Sequence, residues 1–149
     1  MKKHNYLIKG LMSLLLISAA GWASAQTYCA SAARYTADSK CDRVELVGNT
    51  VTIDENSSSS GCVVYTDNTS VAAADLSPGG DYTVTITQGT CRGNYTRSSN
   101  AWINYNGDGD FTDAVVMLST GNGSGVNVIN FTVPCSISTG TTRMRVIVN

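Results

Sequence analysis

The chain has 149 residues, of which 42% are hydrophobic and 14% charged, and its formal net charge is −1. A charge so close to zero gives little attraction for nucleic acid or an anionic membrane surface, and the sequence contains no basic cluster. The only histidine is His4, so the rest of the chain cannot supply a Ser-His-Asp triad, a Cys-His pair or a histidine-ligated zinc site. We therefore expect a protein that is not an enzyme.

Residues 1–25 have the pattern of a secretory signal peptide. Lysines come first, the apolar segment LMSLLLISAA follows, and the small residues ASA close the segment. The apolar segment is too short to span a bilayer core of ~30 Å as a permanent helix. Cleavage before Gln26 removes three of the ten Lys and Arg and none of the eleven Asp and Glu, which leaves a net charge of about −4. We expect a secreted chain that does not insert into a membrane once the signal is removed.

Three segments have the two-residue period of half-buried strands. In DYTVTIT, residues 81–87, apolar side chains alternate with threonines. The segments NVINFTV, residues 127–133, and TRMRVIV, residues 142–148, show a similar alternation. Five weaker candidates are residues 43–47, 50–54, 62–66, 101–105 and 114–118. Because turn-forming residues separate these eight segments, we predict an all-β fold, an antiparallel β-sandwich (Ig-like or jelly-roll-like) in a single domain over residues 26–149.

The aromatic and basic residues of these strands have simple structural interpretations. Trp102 and Tyr82 lie on apolar strand faces, and we expect them to fill the core. Tyr95, in the polar segment RGNYTRSS, is the better candidate for an exposed ligand contact. Arg143 and Arg145 are on one side of their strand and are expected to be solvated, pairing with acidic residues on a neighbouring strand.

The segment NYNGDGDFTD, residues 104–113, predicts a calcium site. Oxygen-bearing side chains stand at every second position and a glycine takes the sixth, as in the D-x-[DN]-x-[DN]-G loop pattern. The candidate ligands are Asn104, Asn106, Asp108, Asp110 and Asp113. A structural Ca²⁺ bound at about 10⁻⁴–10⁻³ M is the cofactor we expect. The alternative is a turn without an ion, in which the same side chains cap backbone N–H groups.

Cysteine usage also fits an exported protein. The five cysteines are Cys29, Cys41, Cys62, Cys91 and Cys135, and none of them forms a CxxC pair. Disulfides are the default in an exported chain, and the spacing does not determine the pairing. Because five is an odd number, one sulfur is expected to remain unpaired within the chain.

Several segments resemble the GEVED domain, an extracellular β-sandwich module of bacteria. The strongest similarity lies in AWINYNGDGDFTDA and in INFTVPCSISTGTTRMRV, which occur in the family's order. The upstream segments YCASAA, RVELVGNTVTIDENSSSSGCVVYTDNTS and DLSPGGDYTVTIT are also similar. The resemblance implies a non-catalytic module of secreted peptidases, adhesins and other bacterial surface proteins, with binding or spacing as its role.

The family's Gly-Glu-Val-Glu-Asp strand lies beyond TRMRV and often carries a cysteine, whereas this sequence ends at IVN. The resemblance therefore implies a domain that lacks its last strand. Either the sequence is a fragment, or a strand from another chain completes the fold by β-augmentation, or the sandwich closes without it.

Three functions follow as hypotheses. The first is a secreted binding or adhesion module with a calcium-braced loop, whose partner is a surface protein or a glycan. The second is a surface or filament subunit that oligomerises by strand exchange or through a disulfide. The third is a carbohydrate-binding module.

Overall fold

The computed structural model describes residues 28–149 apart from residues 34, 94–95, 113–116, 123–124 and 138. The predicted signal peptide, the cleavage position and Tyr95 lie outside the described residues. The domain boundary at residue 26 thus stays a prediction, as does the absence of a last strand.

The described part of the chain contains seven strands. They are β1 Ser39–Val47, β2 Thr52–Asn56, β3 Asp81–Thr90, β4 Thr96–Ile103, β5 Met117–Asn122, β6 Gly125–Thr132 and β7 Met144–Val148. All pairings are antiparallel, and the strands form two sheets with the orders β2-β1-β3-β6 and β5-β4-β7. Within the described ranges there is no helix, and hence none that is long and apolar enough to cross a membrane.

The two sheets share one apolar core, which confirms the predicted all-β antiparallel sandwich. In β3, Val84 and Ile86 are fully buried, whereas the threonines that alternate with them, Thr83, Thr85 and Thr87, face the other side of the sheet. The second sheet contributes Ala101 and Ile103 from β4. The remaining core residues are Leu46, Ile129, Phe131 and Val133, and Tyr82 packs against them as predicted.

The predicted strand at residues 62–66 is wrong. The segment is irregular, and Val63 and Val64 are each 55% exposed. The segment joins neither sheet, and the Val64 carbonyl accepts the N–H of Ala33, which lies in an irregular segment, at 2.9 Å. The other seven segments coincide with or overlap the observed strands, although residues 114–116 of the fifth weak candidate are outside the described range.

Asp75 fixes the connection between β1 and β2. Its carboxylate accepts the backbone N–H groups of Thr50 and Val51 at 2.9 Å and 2.7 Å, as well as the Thr50 hydroxyl at 2.8 Å. The N–H groups of Thr50 and Val51 lower the pKa of Asp75 from 3.8 to about 2, because hydrogen bonds of this kind favour the charged carboxylate.

We predict that the Asp75→Asn substitution removes part of the acid sensitivity of the fold. Because the folded-state pKa is below the unfolded value, the charged carboxylate stabilises the fold above about pH 4, and this stability is lost as the pH falls towards about 2. Urea midpoints between pH 5 and pH 2 should therefore fall less steeply in Asp75→Asn than in the wild type. Asp38→Asn is the matched control, since Asp38 is exposed and its side chain has no hydrogen-bond partner in the described structure. Equal slopes in the wild type and Asp75→Asn would contradict the assignment.

Candidate functional site

The loop that follows β4 is held by a series of turns closed by Asx side chains. The Oδ1 atoms of Asn106, Asp108 and Asp110 each accept the backbone N–H two residues further along, at 3.1, 3.0 and 2.8 Å. Gly107 and Gly109 have φ values of 69° and 95°, which glycine adopts without steric cost. The loop therefore has a defined shape that its own side chains maintain.

Asn104 connects this loop to the rest of the sandwich. Its side chain is fully buried, with Oδ1 accepting the N–H of Gly107 at 2.8 Å and Nδ2 donating to the Tyr28 hydroxyl at 3.0 Å. Its backbone N–H donates to the carbonyl of Arg143 at 3.1 Å, and its carbonyl accepts the hydroxyl of Thr142. One residue thus joins the loop, the N-terminal segment and the approach to β7.

Aromatic and guanidinium groups stack beside Asn104. The rings of Tyr28 and Phe111 have centroids 5.2 Å apart. The Arg143 guanidinium lies 5.0 Å from the Tyr28 ring centroid, and that of Arg145 lies 4.4 Å from the Phe111 centroid. Arg145 also donates to the carbonyl of Cys29 at 3.0 Å. Arg143 is exposed, as predicted for a solvated residue. The ion pairs of the described residues include neither Arg143 nor Arg145, and cation–π contacts hold both guanidinium groups.

A cleft opens between the loop and the outer face of the three-stranded sheet. Trp102 lies between the buried Ala101 and Ile103 on β4, so its side chain points away from the core. The prediction that Trp102 fills the core is therefore wrong. The cleft has a volume of about 310 Å³ and is lined by Cys29, Trp102, Gly109, Asp110, Phe111, Thr112, Arg145 and Ile147.

The cleft combines an apolar surface with opposite charges. The N–H and hydroxyl of Thr112 both donate to Asp110 Oδ1 and lower the pKa of Asp110, so this carboxylate is charged at neutral pH. The Arg145 guanidinium supplies a positive charge among the same lining residues. Two aromatic rings, one carboxylate and one guanidinium are groups that bind and orient a ligand. Tyr105, next to the loop, stays neutral because burial raises its pKa to about 12.

The structure places the predicted calcium ligands in different environments. Asn104 is buried and directs both side-chain polar atoms to protein groups. Asn106 and Asp108 are exposed, and Asp108 Oδ2 accepts the Asn106 side-chain N–H at 2.9 Å. Asp113 lies outside the described residues. Across the described ranges, no group of three or more His, Cys, Asp and Glu side chains is placed to hold a metal ion.

The loop nevertheless has the donor chemistry of a hard-cation site. Its side chains offer amide and carboxylate oxygens, which calcium prefers. Asp108 Oδ1, which accepts one N–H group in its turn, has a second lone pair. Asp110 Oδ1 accepts both the N–H and the hydroxyl of Thr112, but Asp110 has a second carboxylate oxygen. An ion would therefore add to the existing turns without replacing them.

The cysteines form fewer bonds than expected. Cys62 and Cys91 are disulfide-bonded, with Cα atoms 6.0 Å apart. Cys29, Cys41 and Cys135 are free thiols. The prediction of a single unpaired cysteine is therefore wrong, since three cysteines are unpaired. Cys41 is half-buried in the sandwich, where burial raises the pKa of its thiol to about 11 and keeps it protonated.

Of the residues that line the cleft, sequence reasoning singled out Asp110, as a calcium ligand, but it assigned Trp102 to the core. Phe111, and Tyr28 whose ring lies beside it, were assigned no role in binding. The contact of Tyr28 with Asn104 spans 76 residues of sequence, and no local pattern reports such a distance. The outward direction of Trp102 could have been inferred from its position between Ala101 and Ile103.

Comparison with known proteins gives one match. The model of the GEVED domain family matches residues 98–149. This range includes most of β4, the polar loop, β5, β6 and β7. This match confirms the resemblance for that part of the chain, and the similar segments upstream of Ser98 lie outside it. Neither a curated protein nor a solved structure matches the chain.

We predict that Tyr28→Phe destabilises the fold although it keeps the ring. The substitution removes the hydroxyl that accepts the Asn104 side-chain N–H, and an unsatisfied buried donor costs about 1–3 kcal/mol. Tyr65→Phe is the matched control, since Tyr65 is 56% exposed, and a surface change of this kind should alter stability by less than about 0.5 kcal/mol. Urea unfolding of the three proteins measures the difference. Equal losses in the two variants would show that the Tyr28 hydroxyl does not contribute to folding.

Proposed function

We propose, starting from the GEVED match over residues 98–149, that this protein is a secreted bacterial module that binds a ligand without chemically changing it. The cleft beside Trp102 is the proposed binding site. The observation that carries the proposal is the convergence of Trp102, Phe111, Asp110 and Arg145 on one cleft of about 310 Å³.

The lining of the cleft favours a glycan over the other expected partner, a surface protein. An aromatic face can pack against the C–H groups of a sugar ring, while a carboxylate and a guanidinium bind its hydroxyls. The size of the cleft is at the lower end of the range for small-molecule sites. A short segment of a glycan, one or two sugar rings, is the ligand we propose.

The absence of suitable chemical groups supports a binding role. The only histidine is His4, which lies in the predicted signal peptide. Asp110 is the one carboxylate among the described residues that line the cleft, whereas glycoside hydrolysis uses a pair.

A glycan array tests the binding proposal. We expect the purified protein to bind at least one class of oligosaccharide. We expect Trp102→Ala to weaken that binding at least about fivefold, because an aromatic anchor of this kind contributes more than about 1 kcal/mol. Tyr65→Ala, which changes an exposed aromatic residue away from the cleft lining, should bind like the wild type. A blank array, or equal binding by Trp102→Ala, would rule out a glycan site at this position.

We also propose that Ca²⁺ braces the wall of this cleft. The ion would bind Asp108 and Asp110, with Asn106 and backbone carbonyls completing its ligands. Because few of these groups are charged, the affinity is expected to be weak, about 10⁻⁴–10⁻³ M as in other extracellular modules.

Thermal unfolding with added calcium tests this second proposal. We expect the melting temperature to rise between about 0.1 and 10 mM CaCl₂, and to rise less with MgCl₂. Asp110→Asn should weaken the response, whereas Asp38→Asn, which alters an acidic residue outside the loop, should retain it. A melting temperature that stays constant up to about 10 mM CaCl₂ would remove calcium from the proposed function.

A subunit completed by strand exchange is the alternative function. Among the described strands β6 pairs only with β3, and its Val126 and Val128 side chains are 61% and 59% exposed. An outer strand with exposed valines is a surface on which another chain can add a strand. Under oxidising conditions, size-exclusion chromatography that gives only a monomer would argue against this alternative.

A further inference from the structure

One end of the sandwich interior is polar, in contrast to the apolar core. Gln88 on β3 and Ser99 on β4 are fully buried, while Arg97 on β4 is 2% exposed and Asn127 on β6 is 7% exposed. All four side chains face inward, on the same side of their strands as the core residues Ile86, Ala101 and Ile129. We refer to these four residues as the polar layer.

Two residues of the polar layer, Arg97 and Gln88, have buried polar atoms without hydrogen-bond partners. Asn127 Nδ2 donates to Ser99 Oγ at 2.9 Å, and Arg97 Nη1 donates to the carbonyl of Gly89. In contrast, Nε and Nη2 of Arg97 and both polar atoms of the Gln88 amide are buried without any hydrogen-bond partner. Arg97 donates to the carbonyl of Gly89, the residue that follows Gln88. The unpaired polar atoms of Arg97 and Gln88 therefore lie in the same region of the interior.

The Arg97 charge is also uncompensated. No acidic side chain in the described structure forms an ion pair with Arg97. Asp42 is on the opposite face of β3, where it lies against the Cα position of Gly89 and its Oδ1 is 3.0 Å from Lys40 Nζ. A guanidinium does not lose its proton in proteins, so neutralisation cannot relieve its burial.

From this arrangement we propose that the polar layer binds a small inorganic anion of the chloride type between Arg97 and Gln88. The donors are Arg97 Nε and Nη2 together with Gln88 Nε2, all of which lack a partner within the protein. The anion supplies the counter-charge that a buried guanidinium requires. A water molecule in the same layer satisfies Gln88 Oε1, which is an acceptor and does not face the anion.

The proposed ion has a role separate from ligand binding in the Trp102 cleft. The polar layer is at the end of β3 that leads into Cys91, whose bond to Cys62 anchors the irregular segment after β2. An anion there would hold β3 against β4, close to the point where the disulfide attaches the long connection between β2 and β3 to the sheet. Its loss should destabilise the fold and leave the cleft residues in place.

Replacement of a bulky anion by chloride tests the proposal. Unfolding of the purified protein is measured in sodium gluconate and in sodium chloride at the same ionic strength, because gluconate is too large for a buried site. For a dissociation constant near 10 mM, 100 mM chloride raises the folded-to-unfolded ratio about tenfold. We expect Arg97→Met to lose this dependence. Arg43→Met, which changes an arginine of an exposed ion pair, should keep it.

A second measurement does not depend on the folding of Arg97→Met. Crystals of the wild-type protein soaked in sodium bromide should give an anomalous scattering peak within hydrogen-bond distance of Arg97 Nε and Gln88 Nε2. Identical stability in chloride and gluconate would overturn the proposal. So would density for water alone, or a direct hydrogen bond between Gln88 and Arg97, at that position.

Discussion

The buried side chain of Asn104 is the constraint on which the site depends. An amide in the interior must satisfy its donor and its acceptor, since an unsatisfied buried group costs about 1–3 kcal/mol. Asn104 does so through two groups that are far apart in the sequence, the Tyr28 hydroxyl and the Gly107 N–H. With the amide satisfied in this way, the N-terminal segment and the polar loop are both held against the three-stranded sheet. The cleft is the space that remains between them.

The structure of the polar loop bears on both interpretations of its sequence, the calcium site and the turn without an ion. The structure has the Asx turns of the simpler interpretation, with Oδ1 atoms accepting N–H groups at successive positions. Because each turn uses Oδ1, the second carboxylate oxygens of Asp108 and Asp110 stay outside the turns, and that of Asp108 accepts the Asn106 side-chain N–H at 2.9 Å. Calcium binding would thus use a loop that the protein has already shaped, and a weak affinity is consistent with a small number of charged ligands.

The sequence predicted the fold well and the site poorly. The alternation in β3 and β7 correctly identified Val84, Ile86 and Val146 as residues that contact the core, because period-two patterning follows directly from strand geometry. The segment at residues 62–66 has strand-forming residues but no neighbouring strand, and pairing is a property of the whole fold. The contact of Tyr28 with Phe111 and the bond between Cys62 and Cys91 depend on contacts between residues that are far apart in the sequence. No local pattern contains that information.

Native-state hydrogen exchange at the Gly107 amide measures the central constraint directly. Gly107 and Thr69 both donate to an Asx side chain at close to the same length, 2.8 Å to Asn104 and 2.9 Å to Asp67, but only Asn104 is buried. We expect a protection factor for Gly107 at least about tenfold above that of Thr69, since the buried acceptor Asn104 releases the N–H only when the structure around it opens. Equal protection of the two amides would show that Asn104 does not hold the loop, and the cleft would then lack the support described above.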